Sequence, residues 1–229
     1  MSYQDVAGSK QHAQFSLLCR LQTNKNLNKE ALKSTLQQLW RGSHGVTIKD
    51  VGVNLFLAIF VTEESMNDVW DRCPWSFDKR LILLKHFNGD LSPGNVTFQH
   101  SPFWIRVFNI PIKSMNSVVG TRIAKEIGIP LVVDALKSGL AWGPFLRIRV
   151  DIDITKPLMR GKMIHIEDVE EGWVYFKYER LPTFCYCCGI LGHQDRECRT
   201  IQPLTGNSTT RTTCQQLGDS AKWWRVRII

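Results

Sequence analysis

From residue 15 to residue 87 the apolar positions switch repeatedly between a spacing of two and a spacing near four. "FSLLCRL" (15–21) is a short apolar run of strand length. Asn28 suits a helix cap, and after it Leu32, Leu36, Leu39 and Trp40 recur at helical spacing, predicting one packed face that Gly42 and Gly45 close. "GVTIKDVG" alternates, and "NLFLAIFV" is apolar throughout, bounded by Asn54 and Thr62. Thr62 is a second cap, with Glu63 and Glu64 at the positive end of a helix whose stripe is Met66, Val69, Trp70 and Cys73. Pro74 ends that helix, and "SFDKRLILLKHF" supplies a last strand.

The order strand, helix, strand, strand, helix, strand predicts an α+β unit on the ferredoxin-like (RRM-like) βαββαβ plan over residues 15–90. RNA-recognition motifs share that plan and stack bases on aromatic residues of an open strand face. Here one face of the third strand carries Phe56, Ala58 and Phe60, and the other carries Leu55, Leu57, Ile59 and Val61. Both are apolar, and the basic-glycine start of the RNA-binding motif is missing. Both faces are therefore expected to be covered, the second by the following domain.

"NGDLSPGNV" (88–96) is a break rich in Gly, Pro and Asn, and marks a domain boundary. A second α+β unit is expected over 96–180. "FWIRVFNIP" (103–111) alternates as a strand; Ser114 precedes a helix with Met115, Val118, Val119, Ile123 and Ile127 on one side; Gly128 and Pro130 end it before the strand "PLVVDA". In "PFLRIRVDIDI" (144–154), Leu146, Ile148, Val150, Ile152 and Ile154 face one way, and Arg147, Arg149, Asp151 and Asp153 the other. "KMIHIED" and "WVYFKYERLP" form a hairpin around "VEEG". Arg106, Arg147, Arg149, Lys177 and Arg180 are candidates for a basic, nucleic-acid-binding surface. The alternative is an ordinary solvated face partly neutralised by Asp151 and Asp153. The stretch 201–229 is rich in Thr, Ser and Gln and reads as a disordered tail, its basic, aromatic "KWWRVRII" end an interaction segment or, the favoured reading, a remnant of a truncated reading frame.

Composition narrows the function. Of 229 residues, 43% are hydrophobic and 22% charged, as in globular proteins. Lys and Arg number 29 against 21 acidic residues, a net charge of +8 that suits a polyanion such as nucleic acid. The longest purely apolar run, Leu55 to Val61, is too short to cross a bilayer, so no membrane partner is expected. The amino end lacks the apolar core of a secretory signal, which points to an intracellular protein of nucleus or cytoplasm. The seven cysteines then read as thiols or metal ligands. There is no phosphate-cradling glycine loop and no paired-carboxylate constellation, so no enzyme is expected.

The chemistry concentrates in "CYCCGILGHQDREC" (185–198), where four cysteines and a histidine compete for one ion. Cys185, Cys188, His193 and Cys198 give C-x2-C-x4-H-x4-C, a spacing that closes a tetrahedron. Cys187 falls outside the pattern and could replace Cys188 only in a distorted site. Gly189 and Gly192 stand where the chain turns tightly or approaches the metal. Three thiolates and an imidazole with no open position argue for one structural Zn2+. A segment this short buries no core, so binding and local folding are one event. Cys19 and Cys73 sit on apolar stripes and read as core; Cys214 lies in the tail; His165 reads as a strand residue.

That segment resembles the retroviral-type CCHC zinc knuckle in all four ligands, both glycines and the aromatic Tyr186 after the first cysteine. The wider "YERLPTFCYCCGILGHQDREC", and "GVNLFLAIFVTEESMNDVWDRCPWSFDKRLILLKHF" upstream, resemble plant proteins of LINE-type retrotransposon origin, in which a Gag-like domain precedes a single knuckle. The resemblance implies single-stranded nucleic-acid binding, RNA first, without catalysis. It casts Tyr186 as the stacking residue, Ile190 and Leu191 as apolar walls, and Arg196 and Arg199 as phosphate contacts. One departure stands out: the loop holds Asp195 and Glu197, and no base between Gly189 and His193. With the apolar strand 55–61, it supports a second reading, a protein-interaction or self-assembly module in which the knuckle is purely structural.

Overall fold

The computed structural model describes residues 15–23, 28–42, 45–90, 92–166 and 169–198. Arg199, Cys214 and the tail lie outside them. The described residues form an α+β protein of two antiparallel five-stranded sheets and three α-helices.

The first unit runs β1 (Ser16–Leu21), α1 (Lys29–Leu39), β2 (Val46–Gly52), β3 (Leu55–Phe60), α2 (Glu63–Asp71), β4 (Trp75–Phe77) and β5 (Arg80–His86), with sheet order β2-β3-β1-β5-β4. Both expected caps form: the Asn28 side chain accepts from the Ala31 N–H at 3.0 Å, and Thr62 from the Ser65 N–H at 3.2 Å. Leu32, Leu36 and Trp40 line the buried side of α1, four residues apart, and Trp40 packs edge-on to Trp75 at 5.7 Å. Leu39 lies one step around the helix and is 52% exposed, which removes it from the expected stripe. The segment expected as one last strand is two. Asp78 and Lys79 both adopt positive φ (48° and 60°) and fold Trp75–Phe77 back on Arg80–His86 as a hairpin.

Coverage of the first sheet is uneven. Phe56, Ala58 and Phe60 are buried with the helices. On the reverse face Leu81 and Leu83 of β5 enter the core of the second unit, and Leu18 and Leu55 pack against Val96 of the linker. Leu57 and Ile59 are half-buried and Val61 is exposed, so the following domain covers only part of that face.

The second unit comprises β6 (His100–Phe108), α3 (Ser117–Ile127), β7 (Ile129–Val133), β8 (Leu146–Asp153), β9 (Gly161–Ile166) and β10 (Val169–Tyr178), with sheet order β7-β8-β6-β10-β9. The alternation in β8 is realised in full: Leu146, Ile148, Val150 and Ile152, with Ile154 just beyond the strand, are all buried under α3. The helix itself starts later than Ser114 implied. Asn116 accepts from the Val119 N–H at 2.9 Å, leaving Met115 before the helix. Val119, Ile123 and Ile127 then align at four-residue steps, and Val118 points outward. "VEEG" is also not a loop: β10 begins at Val169, with a register shift before Gly172.

Among the described residues, polar contacts from Arg149, Arg180 and Thr183 join the units. Arg149 reaches the end of α2, Arg180 donates to the Arg72 carbonyl at 2.9 Å, and the Thr183 N–H donates to the Lys79 carbonyl at 2.6 Å. Among the described residues no helix is long and apolar enough to cross a membrane.

Candidate metal centre

The knuckle begins where β10 runs out. Phe184 and Leu191 bridge to each other in antiparallel fashion, and both side chains are buried in the core of the second unit. Between them the chain makes a tight loop: the Cys185 N–H donates to the Ile190 carbonyl at 3.0 Å, and the Gly189 N–H to the Cys185 carbonyl at 2.9 Å. The loop is tied to the body as well, because the Leu158 N–H donates to the Gly189 carbonyl at 2.7 Å. Gly189 and Gly192 hold φ of 78° and 97°, a region that side chains other than glycine rarely adopt. A Cβ at either would meet Pro157 or Gln22 at 3.1 Å.

The ligand atoms of Cys185, Cys188, His193 and Cys198 lie within 4.8 Å of one another. A tetrahedral zinc with Zn–S near 2.3 Å and Zn–N near 2.0–2.1 Å has ligand–ligand edges of roughly 3.5–3.8 Å. Cys188 Sγ and His193 Nε2, 3.3 Å apart, already stand close to that edge. The Cys188 N–H points at Cys185 Sγ from 3.5 Å, the amide-to-sulfur bond that the x2 spacing allows. Burial pushes the Cys185 thiol up to about 12, opposed by backbone N–H groups of Cys188 and Cys187. Its thiolate therefore calls for a cation alongside. Donor set, spacing and closure fit one structural Zn2+, held by these four residues. Cys187 stands outside the cluster and has a partner of its own. Cys19 and Cys73 are buried core thiols, as expected, and burial drives both well above the ordinary cysteine range.

The acidic residues of the loop have structural work. Asp195 Oδ1 accepts from the Tyr186 N–H at 2.6 Å, and Glu197 Oε2 from the Gln194 N–H at 3.4 Å, closing a capping box on the turn Asp195–Glu197. Arg160, which sequence reasoning missed, donates to the Tyr186 carbonyl at 2.9 Å. Nothing in its local pattern marked it, since it belongs to a loop 26 residues upstream.

Of the candidate nucleic-acid residues, Tyr186 is 38% exposed, its ring edge-on to Phe184 at 5.3 Å. Ile190 is half-buried and Arg196 is exposed. Leu191 is not a wall of an open cleft, because it is buried in the body. Arg147 and Arg149 do not present free cations. Arg147 forms a fork with Glu179 (3.0 and 2.9 Å), pairs with Asp134 at 3.2 Å and lies 3.8 Å above the Trp104 ring. Arg149 is buried against the first unit. Charge that reads as a surface in sequence is consumed here by pairing.

Comparison with known proteins finds two families along the chain. Residues 9–95 match the family described as Domain of unknown function (DUF4283), and residues 152–200 match the family described as Zinc knuckle. An uncharacterized protein of Arabidopsis thaliana is 26% identical over 147 residues, which cover 63% of this chain and 46% of that protein. The match thus spans under half of the relative's length. With the four ligands gathered at one point, the chain carries a DUF4283 domain followed by a zinc knuckle.

Proposed function

We propose that this chain is a non-catalytic, Gag-like protein of LINE-type retrotransposon descent that binds single-stranded nucleic acid, RNA first, through its zinc-loaded knuckle, in the nucleus or cytoplasm. Zinc knuckles are among the modules that read unpaired bases. The observation that carries the reading is the exposed Tyr186 ring on the ligand loop, with the half-buried Ile190 on the same loop, Arg196 in the following turn and the Asp195 carboxylate already bonded to the Tyr186 amide. Tyr186 then stacks on a base and Arg196 contacts phosphate, with Arg199 as a second contact. The sheet order β2-β3-β1-β5 supports a ferredoxin-like reading of the first unit as the scaffold.

The test is fluorescence anisotropy of a labelled single-stranded RNA with zinc-loaded protein at two salt concentrations. Affinity should fall as salt rises, since phosphate contacts release counterions. Tyr186→Ala should weaken binding by about tenfold, and Cys188→Ser should abolish the knuckle's share. Binding indifferent to salt, or none, overturns the proposal.

A second reading has its own observation. Phe184 and Leu191 bolt the knuckle into the body, while Ile129, Leu131 and Val132 leave an edge strand apolar and exposed. An assembly module with zinc as internal cement would show concentration-dependent oligomers without RNA affinity.

A further inference from the structure

The face of the second sheet that turns away from α3 carries a pattern unrelated to the knuckle. The register places Tyr175 beside Phe108, and Lys177, Arg106 and Arg147 in one row across three strands. Phe145 joins the first row, its ring 5.4 Å from that of Phe108, and Trp173 extends it toward Met163 on β9. Every cation of the second row lies over a ring: Lys177 Nζ 4.9 Å from Phe108, Arg106 4.7 Å from Phe145, Arg147 3.8 Å from Trp104. Glu179 clamps Arg106 (2.7 Å) and Arg147 (3.0 and 2.9 Å), which fixes both guanidinium groups. The face is open at this end: Trp173 is 44% exposed, Met163 51%, and Lys177 is exposed.

We propose that this face is a second binding platform, on which unpaired bases of a single-stranded nucleic acid stack against Trp173, Tyr175 and the ring-backed guanidinium groups, with Lys177 at the phosphates. The inference shares with the proposed function only the class of ligand; its residues are separate. Unpaired bases are recognised by aromatic faces and by arginine planes, and a pre-fixed plane needs no ordering on binding. Charge is limited, because Glu179 and Asp134 offset two of the three cations. Stacking must therefore supply most of the affinity, and Lys177 the salt-sensitive part. A protein partner would also favour Trp and Arg, but lysine is depleted in protein interfaces, and this face carries Lys177.

The platform and the knuckle can be tested apart. Phe176 and Tyr178 face the core that receives Phe184 and Leu191, whereas Tyr175 and Lys177 face the other way. The experiment titrates the full, zinc-loaded chain into labelled mixed-sequence single-stranded RNA, using Trp173→Ala, Trp173→Phe, Lys177→Ala and, for the knuckle, Tyr186→Ala. Thermal melts check that each variant folds. Trp173→Ala should weaken binding about tenfold, Trp173→Phe should keep most of it, and Lys177→Ala should lower the salt slope by about one counterion. Unchanged affinity in Trp173→Ala, or equal losses in the Ala and Phe variants, overturns the platform. If Tyr186→Ala weakens binding and Trp173→Ala leaves it unchanged, the platform falls and the knuckle reading stands; the reverse pattern does the opposite. Absence of RNA binding by the wild type overturns both.

Discussion

Arg149 of the second sheet reaches Asp71 at the end of α2, its NH1 3.3 Å from Oδ1, while its NH2 donates to the neighbouring Trp70 carbonyl at 2.8 Å. The two partners are unequally placed, with side-chain exposures of 7% for Arg149 and 69% for Asp71. The contact joins the two units, and Arg149 Nε is buried with no hydrogen-bond partner among the described residues.

That inequality decides what each deletion costs. Arg149→Ala removes a buried stem and a charge-assisted bond to a carbonyl, a loss of about 2 kcal/mol. Asp71→Ala removes only a solvated carboxylate, at most about 1 kcal/mol. Urea unfolding midpoints of the two variants check the order; equal losses would mean that the ion pair, rather than the buried donor, holds the units.

Zinc removal should be felt beyond the knuckle. Phe184 and Leu191 flank the ligand loop and sit in the core of the second unit. Chelation, or Cys188→Ser, should therefore lower the melting temperature of the whole body by several degrees and release one zinc per chain, read by calorimetry and metal analysis. A body melt unmoved by chelator would show a bead that folds on its own.

Gly192 has both a positive φ and a neighbour in the way, Gln22. Gly192→Ala should cost roughly 1–2 kcal/mol in backbone strain, appearing as about tenfold weaker zinc in competition with a chromophoric chelator. The side chain of Gln22 is flexible, so Gln22→Ala should relieve only the steric share.

The fork from Arg147, helped by Arg106, holds the Glu179 carboxyl below the usual range. A depressed folded value means stability that is fully present above the unfolded carboxylate value of about 4.3. It is lost as pH falls through the folded value. Glu179→Gln should thus be less stable than wild type at neutral pH, and the two curves should converge once pH has fallen below the folded value. Parallel curves across the acid limb in urea titrations at several pH values would contradict this.

Much of the local structure was legible because it depends on neighbours in the chain. Asn28 and Thr62 cap as their spacing says, and β8 alternates as its residues do, since a cap bond or a strand face is settled within a few positions. Misreadings occurred where one residue of offset changes a face. Leu39 and Val118 satisfy a loose helical spacing yet lie outside the packed stripe. Asp78 and Lys79 are polar residues inside a strand-like run, and their turn appears only once β4 folds onto β5.

The ligand set was determined by the sequence alone, because C-x2-C-x4-H-x4-C is a local geometry, and three thiolates and an imidazole at that spacing close around one ion. The fate of the arginines was decided only by tertiary structure. Arg147 and Arg149 are two residues apart and identical in pattern, yet one is clamped above Trp104 by Glu179 and the other is buried against α2. Their partners come from strands and helices 32 and about 79 positions away, and only the packing of the two units brings those groups within hydrogen-bond reach.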